Sequence, residues 1–119
     1  MYTFICYERC STCKKAEKWL SERGIEFEKR PIKENNPSED ELKKWLKLSD
    51  LPLRRLFNTS GQLYRELGVK EKLDAGMSES DALKLLASDG MIVKRPVLVG
   101  DGFALFGFKE AEWAEKLGV

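Results

Sequence analysis

Cys10 and Cys13, in Cys10-Ser11-Thr12-Cys13, are the residues whose type and spacing could most directly do chemistry. A cysteine reacts as its thiolate, and the start of a helix favours that form, because the first amides are unpaired and the macrodipole is positive there. Redox or thiolate chemistry is therefore expected of this pair. The competing use is half of a zinc site. A structural zinc wants four Cys or His ligands, whereas this chain has three cysteines and no histidine. No metal is expected. The missing histidine also excludes Cys–His and Ser–His–Asp machinery. Whatever activates Cys10 must be the helix amides or a cation, and Arg9, Lys14 and Lys15 are adjacent in sequence.

The flanking residues supply elements that would hold such a pair. Tyr2-Thr3-Phe4-Ile5-Cys6 is aromatic and β-branched and reads as a buried strand. After the cysteines, 14–23 reads as a helix with Cys13, Ala16, Trp19 and Leu20 on one face and Gly24 as its stop. Strand, Cys-x-x-Cys, helix is the thioredoxin-like redox signature. Residues 25–30 alternate apolar and polar, as a strand with one buried face does.

Ser38 to Glu41 fits a capping box, opening a helix with Leu42, Trp45, Leu46 and Leu48 inward. Beyond Pro52, residues 54–57 suit one helical turn, and 58–61 suit a turn into a helix carrying Leu63, Tyr64 and Leu67. Ser78-x-x-Asp81 opens another helix with Ala82, Leu83 and Leu86 inward. Two apolar runs, 97–99 and 103–106, are joined through Asp101-Gly102, a strong hairpin signal, and a last helix starts at about Lys109. The expected order is β-α-β, a helical block over about 37–90, then β-β-α. That is an α/β chain with a four-stranded mixed sheet of thioredoxin-like, glutaredoxin type.

At 119 residues the chain suits one domain, 1–119, with one core. Its 21 basic and 20 acidic residues leave no excess of positive charge to displace counterions, so direct nucleic-acid binding is not expected. The first strand starts at residue 2 and no long apolar run follows, so no signal peptide and no membrane span are expected. The expected location is cytoplasmic, where a cysteine pair is more often catalytic or redox-sensing than permanently bridged.

Four stretches resemble one family in order along the chain: Cys10 to Ala16, Leu53-Arg54-Arg55-Leu56-Phe57-Asn58-Thr59-Ser60-Gly61, Tyr64 to Gly68, and Lys94-Arg95-Pro96-Val97. They are similar to the arsenate reductase (ArsC) family in its glutaredoxin-like form, which includes the Spx-type transcriptional regulators. The resemblance implies that Cys10 is the nucleophile, that Arg54 and Arg95 bind an oxyanion, and that Pro96 is a cis-proline facing the reactive cysteine. Arg55 takes the place of Arg54 if the turn is rotated. It also implies a thiol-dependent enzyme with no tightly bound cofactor. Its substrate would be an oxyanion such as arsenate, or a disulfide, and its electrons would come from glutathione with glutaredoxin, or from thioredoxin. The arsenate reducers have a third arginine just after the last strand, where this chain has Gly107 or Phe108, and commonly a serine where it has Cys13. A second cysteine gives Cys10 an internal resolving partner. The regulators share the Cys-x-x-Cys and bind the RNA polymerase α subunit, which is the alternative role. Cys6, Trp19, Trp45 and Trp113 are expected to pack the core.

Overall fold

The computed structural model describes residues 2–119. Its sheet has four strands: β1 (Tyr2–Cys6), β2 (Phe27–Pro31), β3 (Val97–Gly100) and β4 (Phe103–Phe106). They lie in the order β2-β1-β3-β4. β1 and β2 are parallel, while β1–β3 and β3–β4 are antiparallel. α1 (Ser11–Glu22) makes the crossover between the parallel strands. Asp101 and Gly102 close the β3–β4 hairpin, with Gly102 at φ +82°, a conformation glycine adopts without steric penalty. The thioredoxin-like α/β architecture expected from the sequence is therefore present.

Alternation along the strands sends apolar side chains to both faces. Phe4, Cys6, Leu98 and Leu105 pack with Cys13, Ala16 and Trp19 of α1 and with Trp113 of α6 (Glu110–Leu117). Trp113 and Trp19 meet edge to face at 6.3 Å, and the Trp113 indole donates to the Gly107 carbonyl at 3.0 Å. Ile5, Val97 and Ala104 face the other way, toward Leu42 and Trp45 of α2 (Glu39–Ser49) and Leu83 and Leu86 of α5 (Glu79–Ser88).

The capping box forms as expected. Ser38 Oγ accepts from the Glu41 N–H at 3.1 Å, and Glu41 Oε1 accepts from the Ser38 N–H at 3.0 Å. The same carboxylate accepts from the two terminal guanidinium nitrogens of Arg30, at 2.7 and 2.9 Å, which ties α2 to β2. β2 is an edge strand and more exposed than alternation suggested. Pro31, with no N–H to offer a ladder, is its last residue.

Between 62 and 74 the helical block holds more than was expected from the sequence. The helix carrying Leu63, Tyr64 and Leu67 was expected to end before Gly68 and forms as α3 (Gln62–Glu66). Gly68, at φ +62°, marks the break, and a second short helix, α4 (Val69–Asp74), follows it. Leu67 falls at that break and is exposed, not inward. Glu66 and Lys70, spaced as an i,i+4 pair, lie on different helices, and Glu66 instead accepts from Gln62 at 2.8 Å. No helix among the described residues is long and apolar enough to cross a membrane.

Candidate functional site

Cys10 is the N-cap of α1. Its backbone is extended (φ −88°, ψ 118°), and its Sγ accepts the Cys13 N–H at 3.4 Å, the position a serine or aspartate oxygen takes in an ordinary cap. Burial works against ionising this half-buried thiol. The Cys13 amide, a hydrogen bond from the Cys13 thiol, the charge of Arg95 and the Thr12 amide outweigh that cost and hold Cys10 below its ordinary value. Cys13 is buried and accepts the Tyr7 N–H at 3.5 Å. Desolvation, with further contributions from Cys10 and Cys6, pushes its thiol up to about 12. The two sulfurs are thus a half-buried, ionisable acceptor and a buried, protonated donor, both free thiols. Burial also raises the Cys6 thiol, which packs beside Cys13 in the core.

Arg95 reaches the site from the loop before β3. The Arg95–Pro96 peptide is cis, as the resemblance implied. Arg95 Nη1 donates to the Met91 carbonyl at 3.1 Å, and the guanidinium lies 5.3 Å from the centre of the Tyr7 ring. Its Nε is buried with no hydrogen-bond partner among the described residues, so one donor of the fork is still to be satisfied.

The two arginines of the middle segment part company. They stand on a single 3-10 turn, Leu53–Leu56, which has three residues per turn and places Leu53 and Leu56 inward together. Arg54 and Arg55 are left to point outward in different directions. Arg54 pairs with Asp74 of α4, on the surface. Arg55 lines the cavity at Cys10. The structure therefore brings Arg55, not Arg54, together with Cys10 and Arg95. Backbone pairing sets this placement: Asn58 N–H donates to the Ile92 carbonyl and Lys94 N–H to the Leu56 carbonyl, both at 2.8 Å. The helical block is thereby fastened to the loop that carries Arg95.

The cavity over Cys10 encloses about 430 Å³. Arg55, Lys94, Arg95 and Lys109 line it, together with Asn58, and no carboxylate does. Among the described residues none of those four cations is in an ion pair, while Arg23, Lys29, Arg30 and Arg54 elsewhere all are. The result is an anion-attracting pocket around the Cys10 sulfur, in a chain whose net charge is only +1. Lys94, Lys109 and Asn58 were not singled out as site residues from the sequence. The available signals were that Lys94 adjoins Arg95 and that Lys109 precedes the last helix. No three Cys, Asp or Glu side chains among the described residues converge as metal ligands would.

A helix-capping cysteine, a cis-proline just before β3 and this sheet order define a glutaredoxin-type thioredoxin fold. The family model for the ArsC family matches residues 6–116, and the chain belongs to that family. It is 50% identical over 113 residues to YusI of Bacillus subtilis (strain 168), a protein described as uncharacterized, covering 95% of each chain. It is 25% identical over 103 residues to the global transcriptional regulator Spx 2 of Bacillus anthracis, covering 87% of this chain and 76% of that one. Among solved structures, a possible arsenate reductase from Streptococcus mutans UA159 superposes with a TM-score of 0.89 at 42% identity, covering 100% of this chain and 98% of the other. The family thus joins arsenate reductase-like and regulator relatives.

Proposed function

We propose that this protein is a cytoplasmic thiol-dependent oxidoreductase that acts on a small oxyanion such as arsenate. The observation that carries this reading is the Cys10 sulfur lying in a cavity lined by four unpaired cations and no carboxylate. The anion is held by the Arg95 and Arg55 forks, which match a tetrahedral oxyanion bidentately and stay charged. Arg55 takes the part that the family resemblance assigned to Arg54.

The Cys10 thiolate attacks arsenic(V), forming an S–As bond and displacing hydroxide. The displaced hydroxide takes the Cys13 proton and leaves as water, and the Cys13 sulfur then bonds to the Cys10 sulfur. The electron pair of the S–As bond passes to arsenic, which leaves as arsenite, and a Cys10–Cys13 disulfide remains. Two electrons from an external thiol donor, glutathione with glutaredoxin or thioredoxin, restore both thiols, and no bound cofactor takes part. A protein or small-molecule disulfide is the other substrate this chemistry suits.

Arsenate-dependent turnover with each donor tests the reading. Cys10→Ser should abolish it, and Arg95→Ala should lower kcat/KM by about 100-fold, the scale of losing a charged bidentate contact. Turnover that survives Cys10→Ser would sink it.

The Spx relative supports a second reading, in which the Cys10–Cys13 disulfide state governs binding to the RNA polymerase α subunit. Capture of purified α subunit by the oxidised but not the reduced protein, without arsenate turnover, would favour that reading over the first.

A further inference from the structure

Gly107 follows β4, lines the cavity and is fixed on both sides: its N–H donates to the Pro96 carbonyl at 2.8 Å, and its carbonyl accepts the Trp113 indole at 3.0 Å. Its φ of +79° lies in the left-handed region that side chains disfavour. The side chain it lacks would collide with a particular neighbour. A Cβ at 107 would stand 3.0 Å from Cε of Lys94, with Cγ and Cδ at 3.8 and 4.0 Å. The aliphatic stem of Lys94 therefore lies across the bare glycine. At its other end Lys94 is anchored by the hydrogen bond from its backbone to Leu56. Held at backbone and stem, it lines the cavity beside Cys10 and Arg95 and has no carboxylate partner among the described residues.

From this we infer that Lys94, laid across Gly107, is a ligand-binding cation of the Cys10 site that selects doubly charged oxyanions over singly charged ones. The inference rests on the oxyanion reading above and adds a specificity residue to it. The physical reason is Coulombic: the attraction from one added ammonium scales with the charge on the ligand, so a dianion gains about twice what a monoanion of the same shape gains. In a pocket without carboxylates that difference is not cancelled locally.

The test is protection of Cys10 from iodoacetamide in the reduced protein, comparing sulfate with methanesulfonate, tetrahedral anions of two charges and one. In wild type, sulfate should half-protect at the lower concentration. Lys94→Met should raise the sulfate value by about tenfold and the methanesulfonate value by about threefold, and Lys94→Arg should restore most of the preference. Gly107→Ala should shift sulfate the same way. Because its backbone is strained there, Lys94→Met carries the test, with circular dichroism as the check on folding. Protection of wild type with both values unchanged in Lys94→Met, or raised by the same factor, overturns the inference and leaves the oxyanion reading standing. Failure of both sulfate and arsenate to protect wild type overturns both together.

Discussion

Cys10 and Cys13 are the same side chain placed one helical turn apart, and position alone separates their chemistry. The cap amides and Arg95 favour charge on Cys10, while burial keeps the proton on Cys13. Because the thiolate is the reactive form, Cys10 alkylation should remain fast below the ordinary thiol range and fall off only at lower pH. Plotted against pH, its midpoint is expected below that of an unperturbed cysteine thiol, and Arg95→Met should move it upward. A midpoint at or above that value would contradict the electrostatics described here. Cys13→Ser should leave the first attack intact and remove the intramolecular disulfide, as non-reducing mass spectrometry would show. If Cys13→Ser still recycles like wild type, Cys13 is not the resolving thiol. This pair was legible in the sequence because a cap is a local event, written within four residues. The choice between Arg54 and Arg55 was not, since it depends on a 3-10 turn and on Asp74, twenty residues away in sequence.

Elements bring together what is distant in the chain. The Phe57–Val93 bridge and its flanking hydrogen bonds draw the 3-10 turn, the cis-proline loop and the end of β4 around one cavity. Arg55→Met should therefore weaken anion protection of Cys10 by about tenfold, while Arg54→Met should leave it unchanged and lose only a surface ion pair of 1 kcal/mol or less. Equal effects would contradict the placement. Lys94 and Lys109 were hidden for the same reason: each reads as an ordinary surface lysine until these segments meet. At the other end of the helical block, Arg30 and the Ser38 amide hold Glu41 down to about 2. A carboxyl depressed in the folded state stabilises above its unfolded pKa, and that contribution is lost as pH falls through the folded one. Since Glu41 is partly exposed, Glu41→Gln should cost about 1 kcal/mol at neutral pH. The difference from wild type should shrink between pH 4.5 and about 2, as urea melts would show.

On the scale of the whole molecule, one sheet separates two apolar clusters, and each side does a different job. The α1–α6 side seats the cysteines, and the α2–α5 side supports the inserted block that contributes Arg55. The β-α-β and β-β-α halves could be read from the aromatic and β-branched run before the cysteines, the alternation of 25–30 and the Asp-Gly turn, all short-range signals. The stop at Gly68 could be read as well, but α4 beyond it could not, because that helix is six residues long and buries only Val69, too little apolar spacing to announce a helix. Leu86 is fully buried between the block and the sheet, so Leu86→Ala should destabilise the fold by about 3 kcal/mol. If 1–119 is one cooperative unit, that loss should appear as a single shifted transition by both near- and far-ultraviolet circular dichroism. Two separate transitions would contradict a single domain.

The central claim is that Cys10 attacks an oxyanion and Cys13 resolves it. The most direct test is a single turnover of the reduced protein with arsenate and no recycling donor, counting thiols lost and arsenite formed. The account predicts one arsenite released per Cys10–Cys13 disulfide formed, and none from Cys10→Ser. Arsenite formation without that disulfide, or none at all from the fully reduced protein, would contradict it.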